Sequence, residues 1–564
     1  MSTVIEAVAS TFEPPGKGPW ELETTHFSRP VTRFVQAAVQ EGFAKGFAEG
    51  TARFGLLLDR LQPGFSRSFM YTQPVAFGAP AGAMGPPPKP VLQLLTRLHP
   101  AVRRRIARSQ EAIEGKLWRE DLRRWDEQDK PAAVAAHRVL QAVDVEQLSD
   151  AELGQHVLAC ARHCADSVYL HHKYSIAAGL PVGDFLAGAT AWTGRTPGEL
   201  LGLFRGSSQI SRGFAAQELE AAGKAIASSD AARDLLARGG DSSAVLQALT
   251  DDPVAGSAVS RYWEAVRWRS VGYDVGDRTA GELPDVLVAA LATAVSGTSA
   301  PHGQDQALAA LREAVPEQHR GDFDDRLAEV RLMYRLRDER GTFSDGWATG
   351  IARRALLESG RRLAATGRLA HPEHAVQLSA EEVADLLAGR PGPSADQVAE
   401  RQQWWDGNTI DDAPPFLRAA PAPPPPVEWL PPAARRCALA MDIFLDNLFK
   451  VPPAATSATV LTGLPVNAGV YEGTARLVDS PADFDRVRSG DVLVTRMTSP
   501  YFTVVLPLLG AIVTDRGGQL SHAAIVAREY GIPGIVGTRR ATTTIADGDR
   551  VRVDGSTGEV TLLS

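Results

Sequence analysis

The sequence predicts a multidomain protein in which a large, mainly α-helical part is followed by a small α/β domain. Three observations carry that expectation. The chain has 564 residues, too many for a single hydrophobic core. Residues 1–410 show helix caps and helical spacing with few alternating runs. From about residue 456 the pattern turns to short β-rich runs separated by Gly, Asp and Pro turns.

In the helical part, Ser149 to Glu152, Thr196 to Glu199 and Ser379 to Glu382 read as capping boxes, in which a hydroxyl takes an orphan amide and the carboxylate reaches back to the cap. Pro197 stands at a first helical position, where its missing N–H costs nothing. Phe323, Leu327, Val330 and Tyr334 describe one buried helix face. Ala79 to Pro90 reads as a loop rich in Gly, Ala and Pro. The segment 411–455 reads as a connector: prolines crowd 411–432, a short helix is expected over 433–450, and Val451-Pro452-Pro453 ends it. Residues 456–564 then form a complete small domain, with strands expected at 473–478, 491–495, 510–514, 534–536, 550–553 and 559–562 and helices near Ser480 and Ser521.

The composition, 44% hydrophobic and 22% charged, is that of a soluble globular protein. A net charge of −8 argues against nucleic acid or an anionic membrane as the main partner. Cys160, Cys164 and Cys437 make neither a disulfide framework nor a zinc cluster, and no metal site is expected. With no basic-then-apolar leader and no long apolar run, a cytoplasmic location is expected.

The chemistry is concentrated in one motif. A buried strand ends at Thr514, Gly517 and Gly518 turn the chain without a Cβ in the way, and Ser521 is placed to cap an Ala-rich helix. His522 falls in the first turn of that helix, beside free amides and the positive end of the dipole, where a phosphoryl group is well held. A neutral imidazole there is a nucleophile toward phosphorus. Gly517, Gly518 and Ser521 are the candidate phosphate-binding residues. Arg528 lies six residues beyond His522 and is assigned either to phosphate or to tying the helix to the sheet.

Asp515 to Gly518, Ser521 to Glu529 and Gly531 to Gly534, supported by Gly469 to Ala475, Gly490 to Val494 and Val551 to Gly555, resemble the swivelling phosphohistidine domain of the PEP-utilising enzymes. The resemblance covers essentially all of 456–564 and implies that His522 accepts a phosphoryl group from an ATP-grasp domain and carries it to an acceptor. A weaker resemblance links Trp20-Glu21, His26 to Val31, Arg337 to Arg340 and Arg353 to Leu363 to the helical acceptor domain of rifampicin phosphotransferase. The family's Arg-Glu-x-x-Lys is altered here, with Asp338 in place of Glu and Gly341 in place of Lys, while Arg340 comes one position early. This alteration bears on the acceptor's identity.

Residues 1–450 show neither a Gly-rich nucleotide loop nor acidic metal ligands on an α/β scaffold. ATP and Mg²⁺ are therefore expected on a separate ATP-grasp partner, as in the split phenylphosphate synthase systems. The expected acceptor is the hydroxyl of a small molecule, and the overall reaction is dikinase-like, with ATP giving AMP and inorganic phosphate. Phosphorylation that activates a hydroxyl for elimination, or phosphorylation of His522 as a regulatory signal, are the alternatives. Candidate acceptor-binding residues are Arg337, Asp338, Arg340, His172 and Lys173. Arg337 equally suits a solvated helix face.

Overall fold

The computed structural model describes residues 12–80, 82–208, 215–295, 304–449, 460–479, 481–498, 502 and 505–563. The helices that matter below are α1 (Arg33–Arg53), α2 (Asp150–Lys173), α3 (Ser175–Thr193), α4 (Arg320–Met333), α5 (Leu336–Thr342), α6 (Asp345–Ala365), α7 (Pro432–Phe449) and α8 (His522–Tyr530). The chain forms two compact units, one of 1–177, 273–276 and 343–438, the other of 178–272, 277–342 and 439–564. Residue 410 is therefore not a boundary between compact bodies. The helical part contributes to both units.

In the first unit, α1, α2 and α6 enclose a core that includes Phe34, Val35, Leu153, Val157, Ile351 and Leu356. Gly42 and Gly46 let α1 approach α2 closely: a Cβ on either would lie 2.4 and 2.5 Å from the carbonyl oxygens of Ala165 and Tyr169. The return at 273–276 is fastened by Asp274, whose Oδ2 accepts the Thr32 amide at 2.8 Å, and by Arg353, which donates to Val275 O at 3.0 Å. Glu152 and Glu382 reach back to the amides of Ser149 and Ser379, so both of those capping boxes form.

The helical part is mainly helical as expected, and it also carries strands that its pattern does not announce. β1 (Trp20–Leu22), β2 (Leu58–Ser66), β3 (Phe69–Ala76) and β4 (Phe416–Leu417) form a four-stranded sheet in the order β2-β3-β1-β4. β2 and β3 turn through Arg67 and Ser68, both with positive φ, as a two-residue hairpin requires. The proline-rich segment is not a bare connector either. Leu417 and Leu430 are buried, Pro415 O accepts the Leu22 amide, and Pro414 O accepts the Tyr71 hydroxyl. The short helix after it runs over Pro432–Phe449 as expected, whereas Val451-Pro452-Pro453 lies outside the described residues.

In the second unit, Phe323, Leu327, Val330 and Tyr334 are all buried, forming the single face their spacing predicts. Phe185, Phe204, Phe323 and Tyr334 meet ring to ring at 5.3–5.4 Å. The C-terminal part of this unit is an eight-stranded mixed sheet of β5 (Val460–Thr462), β6 (Leu464–Asn467), β7 (Val470–Val478), β8 (Asp491–Thr495), β9 (Leu509–Thr514), β10 (Gly534–Val536), β11 (Arg550–Asp554) and β12 (Glu559–Leu562). Its order is β5-β12-β11-β7-β8-β9-β10-β6, with β7, β8, β9 and β10 parallel. β5 and β6 are the two edge strands, yet only Gly463 separates them in sequence. Eight strands laid flat would span more than about 30 Å, which one residue cannot bridge, so the sheet curls until its edges meet. Among the described residues no helix is long and apolar enough to cross a membrane.

Candidate active site

β9 ends at Thr514, and the next residue anchors the turn. Asp515 is buried and accepts hydrogen bonds from the Thr538 hydroxyl at 3.1 Å, the Thr542 amide at 3.2 Å and the Thr542 hydroxyl. Gly517 has φ of +100°, which side-chain-bearing residues rarely adopt. Ser521 is the N-cap of α8: its backbone is extended and its Oγ accepts the Ala524 amide at 3.4 Å. Gly531, at φ +70°, closes the helix in the left-handed conformation.

His522 occupies the first helical position, as expected, but it is buried at 8% exposure rather than open to solvent. Its Nδ1 lies 3.0 Å from Thr498 Oγ1. In the tautomer that donates Nδ1–H to this hydroxyl, Nε2 carries the lone pair. Burial, and then the nearby Arg337 cation, pull the imidazole pKa down from 6.5 to about 3. The ring is therefore neutral at physiological pH, the form that attacks phosphorus. Thr498, also buried, was missed in the sequence reading; it stands just past β8, the parallel neighbour of β9.

Arg528 is fixed to the loop that leads into α8. It is buried and donates to Gln519 O at 2.7 Å and to Gln519 Oε1, tying α8 to the loop before it. Burial lowers its pKa to about 10, so it stays charged at neutral pH. Its neighbour Glu529 accepts the Gly206 amide at 3.1 Å on both carboxylate oxygens.

Among the candidate acceptor residues, Arg337 is brought to His522 within the second unit, from α5. It is half-buried, and its Nη1 is buried with no hydrogen-bond partner among the described residues. That is not a solvated helix face. Asp338 is buried and Arg340 half-buried on the same helix, while Arg335 pairs with Glu339 at 2.9 Å. His172 and Lys173 belong to the first unit. His172 stacks on His171 at 4.7 Å and on Phe47 at 4.9 Å, and Lys173 forms an ion pair with Asp129 at 2.8 Å. His171 in turn meets Asp345 at 2.8 Å. Burial pushes the Cys160 thiol up to about 12 and the Cys164 thiol well above its usual range, so neither is a nucleophile. Among the described residues no three His, Cys, Asp or Glu side chains are grouped to hold a metal.

Residues 487–558, which contain Thr498, the glycine loop and all of α8, match the family of PEP-utilising enzyme mobile domains. This part of the chain is a PEP-utiliser mobile domain. The uncharacterised phosphotransferase YvkC of Bacillus subtilis (strain 168) is 32% identical over 229 residues, 41% of this chain and 26% of its own length. Rifampicin phosphotransferase of Streptomyces sviceus is 36% identical over 220 residues, 38% of this chain and 22% of its own. A probable phosphoenolpyruvate synthase of Pyrococcus abyssi is 42% identical over 111 residues, 20% of this chain and 14% of its own. The chain thus matches about a quarter of the length of the first two relatives. Those two matches are also longer than the mobile domain, so they take in helical residues before it.

Proposed function

We propose that this chain is a phosphotransferase subunit in which His522 receives a phosphoryl group from ATP held by a separate ATP-grasp partner and passes it to the hydroxyl of a small molecule at the α5 face. The observation that carries this reading is a neutral His522 meeting Thr498 at Nδ1, near Arg337, a guanidinium nitrogen of which has no hydrogen-bond partner among the described residues. In the first half-reaction the Nε2 lone pair attacks the β-phosphorus of ATP and the N–P bond forms as the P–O bond to AMP breaks; water then cleaves the β–γ bond of the pyrophosphorylated imidazole, releasing inorganic phosphate and leaving one phosphoryl group on Nε2. In the second, the acceptor oxygen attacks phosphorus, the electron pair of the P–N bond returns to Nε2, and the hydroxyl proton leaves to a base. The overall balance is dikinase-like: ATP, water and the hydroxyl compound give AMP, inorganic phosphate and the phosphate ester.

The residues divide this work. Thr498 keeps Nε2 as the reacting nitrogen. Arg337 supplies positive charge where the phosphoryl charge is in transit, the kind of preorganised electrostatic term that contributes most to transfer reactions. Asp338 and Arg340 extend the same helix toward the acceptor, and the cap formed by Ser521 keeps His522 at the positive end of α8. Gly517, Gly518 and Ser521 shape the backbone the phosphoryl group passes, and Arg528 holds that backbone through Gln519.

The test is labelling with [β-³²P]ATP and an ATP-grasp partner. Wild type acquires acid-labile, base-stable label on His522, and His522→Ala acquires none. Label that still passes to an acceptor in His522→Ala rejects the carrier role.

A further inference from the structure

The glycine loop before His522 is already occupied by another part of the chain. A helix leaves the carbonyls of its last turn unpaired. α7 ends at Phe449, and two such carbonyls find partners in the loop: Leu448 O accepts the Gly518 amide at 3.1 Å, and Asn447 O accepts the Leu520 amide at 2.9 Å.

The fit of Gly518 argues that this contact is built into the fold. Unlike Gly517, Gly518 does not have the positive φ that would demand glycine. What demands it is space: a Cβ at 518 would lie 2.3 Å from Asn447 O. Gly518 is a candidate phosphate-binding residue by sequence, and the structure adds a second demand on its bare backbone. The closest thing Gly518 makes room for is the end of α7.

α7 is itself fixed. Gly183 and Gly179 of α3 receive it so closely that a Cβ at either would meet Ala440 O at 1.8 Å or the Phe444 ring at 2.7 Å. The helix cannot follow the loop if the mobile domain turns. Its C-terminus also carries partial negative charge, and it lies on the loop that leads to His522.

A phosphoryl group brings a charge of about −1.5 to −2. On Nε2 it would enter a site where His522 is 8% exposed, beside a loop in which the Gly518 and Leu520 amides are taken by the α7 carbonyls. We propose that the end of α7 is an autoinhibitory latch: its bonds to Gly518 and Leu520 and a phosphoryl group on His522 exclude one another. Latched, His522 is closed to donors. Loaded, the domain is released from α7 and free to carry the group. This rests on the carrier reading of His522 and adds the control of that site.

The experiment needs no partner protein. The full chain is treated with potassium phosphoramidate, a small phosphoryl donor, and phosphohistidine is mapped by mass spectrometry. Amide hydrogen exchange at Gly518 and Leu520 is then compared in loaded and unloaded protein. Exchange at least tenfold faster after loading is expected, and unchanged exchange in fully loaded protein overturns the latch while leaving the carrier role intact. Gly518→Ala, and Asn447→Gly, which loosens the last turn of α7 while leaving the loop's own residues unchanged, should each load His522 several-fold faster than wild type. Equal or slower loading in both overturns the proposal. A His522 that no variant loads overturns the carrier reading and takes the latch with it.

Discussion

Acidification should destabilise this protein through His522, and the size of the effect follows from its burial. The imidazole has an ordinary pKa of 6.5 and a folded value of about 3. A base whose folded pKa is lowered contributes its full stability above about pH 6.5 and loses it as the pH falls toward about 3, because the unfolded state binds the proton first. Within that window the loss approaches about 1.4 kcal/mol per pH unit. Between pH 7.5 and 5 the accumulated loss is about 2 kcal/mol, a large share of the total for a marginally stable domain. The assay is urea unfolding of wild type and His522→Gln at a series of pH values, with the second unit followed by intrinsic fluorescence. The difference between the two proteins isolates the imidazole from the carboxylates that titrate in the same range. It should shrink by about 2 kcal/mol in favour of the glutamine variant as the pH drops from 7.5 to 5. Parallel profiles would mean that His522 titrates normally and is not enclosed, and the argument from burial would fall.

Three further outcomes are expected. Thr498→Val removes the hydroxyl that meets Nδ1 and should slow loading of His522 about tenfold, as one lost hydrogen bond of about 1.4 kcal/mol predicts; quench-flow labelling reads this. Arg337→Gln should lower transfer from loaded His522 to the acceptor by about 10²-fold while leaving the loading step near wild type, and Arg337→Lys should restore part of it; single-turnover measurement of the two half-reactions separates these effects. Glu529→Ala leaves the Gly206 amide without its carboxylate and should cost about 1–3 kcal/mol of stability in chemical unfolding, with Glu529→Gln closer to wild type.

The sequence made the mobile domain legible because its central strands β8 to β10 are buried along nearly their whole length and its runs are bounded by strong turn residues. Asp491–Thr495, Gly534–Val536 and Glu559–Leu562 stand where those runs place them, and His522 follows from the glycines and the capping serine. The N-terminal sheet was illegible for a local reason: β2 contains Pro63 and Gly64 and β3 contains Pro74, residues that read as breaks. Thr498 was hidden because its contact with His522 exists only once β8 and β9 lie side by side. The division into units was hidden too, since the segment 273–276 joins the first unit through two bonds to residues far away in sequence. Burial of His522 could not be read from α8 at all. It depends on what packs over the helix start, and a helix start by itself reads as exposed.

The curled C-terminal sheet carries one more consequence. A domain handed from one partner to another, as we propose for this one, runs a hazard common to all β-structure, because any long open strand invites a foreign strand to pair with it and stay. Here the edge strands are three and four residues long and are brought together at Gly463. A visiting chain is offered almost no ladder to extend. On that proposal, partners recognise this domain by the side chains on its surface, contacts that can be made and broken, and not by adding a strand that would hold it in place.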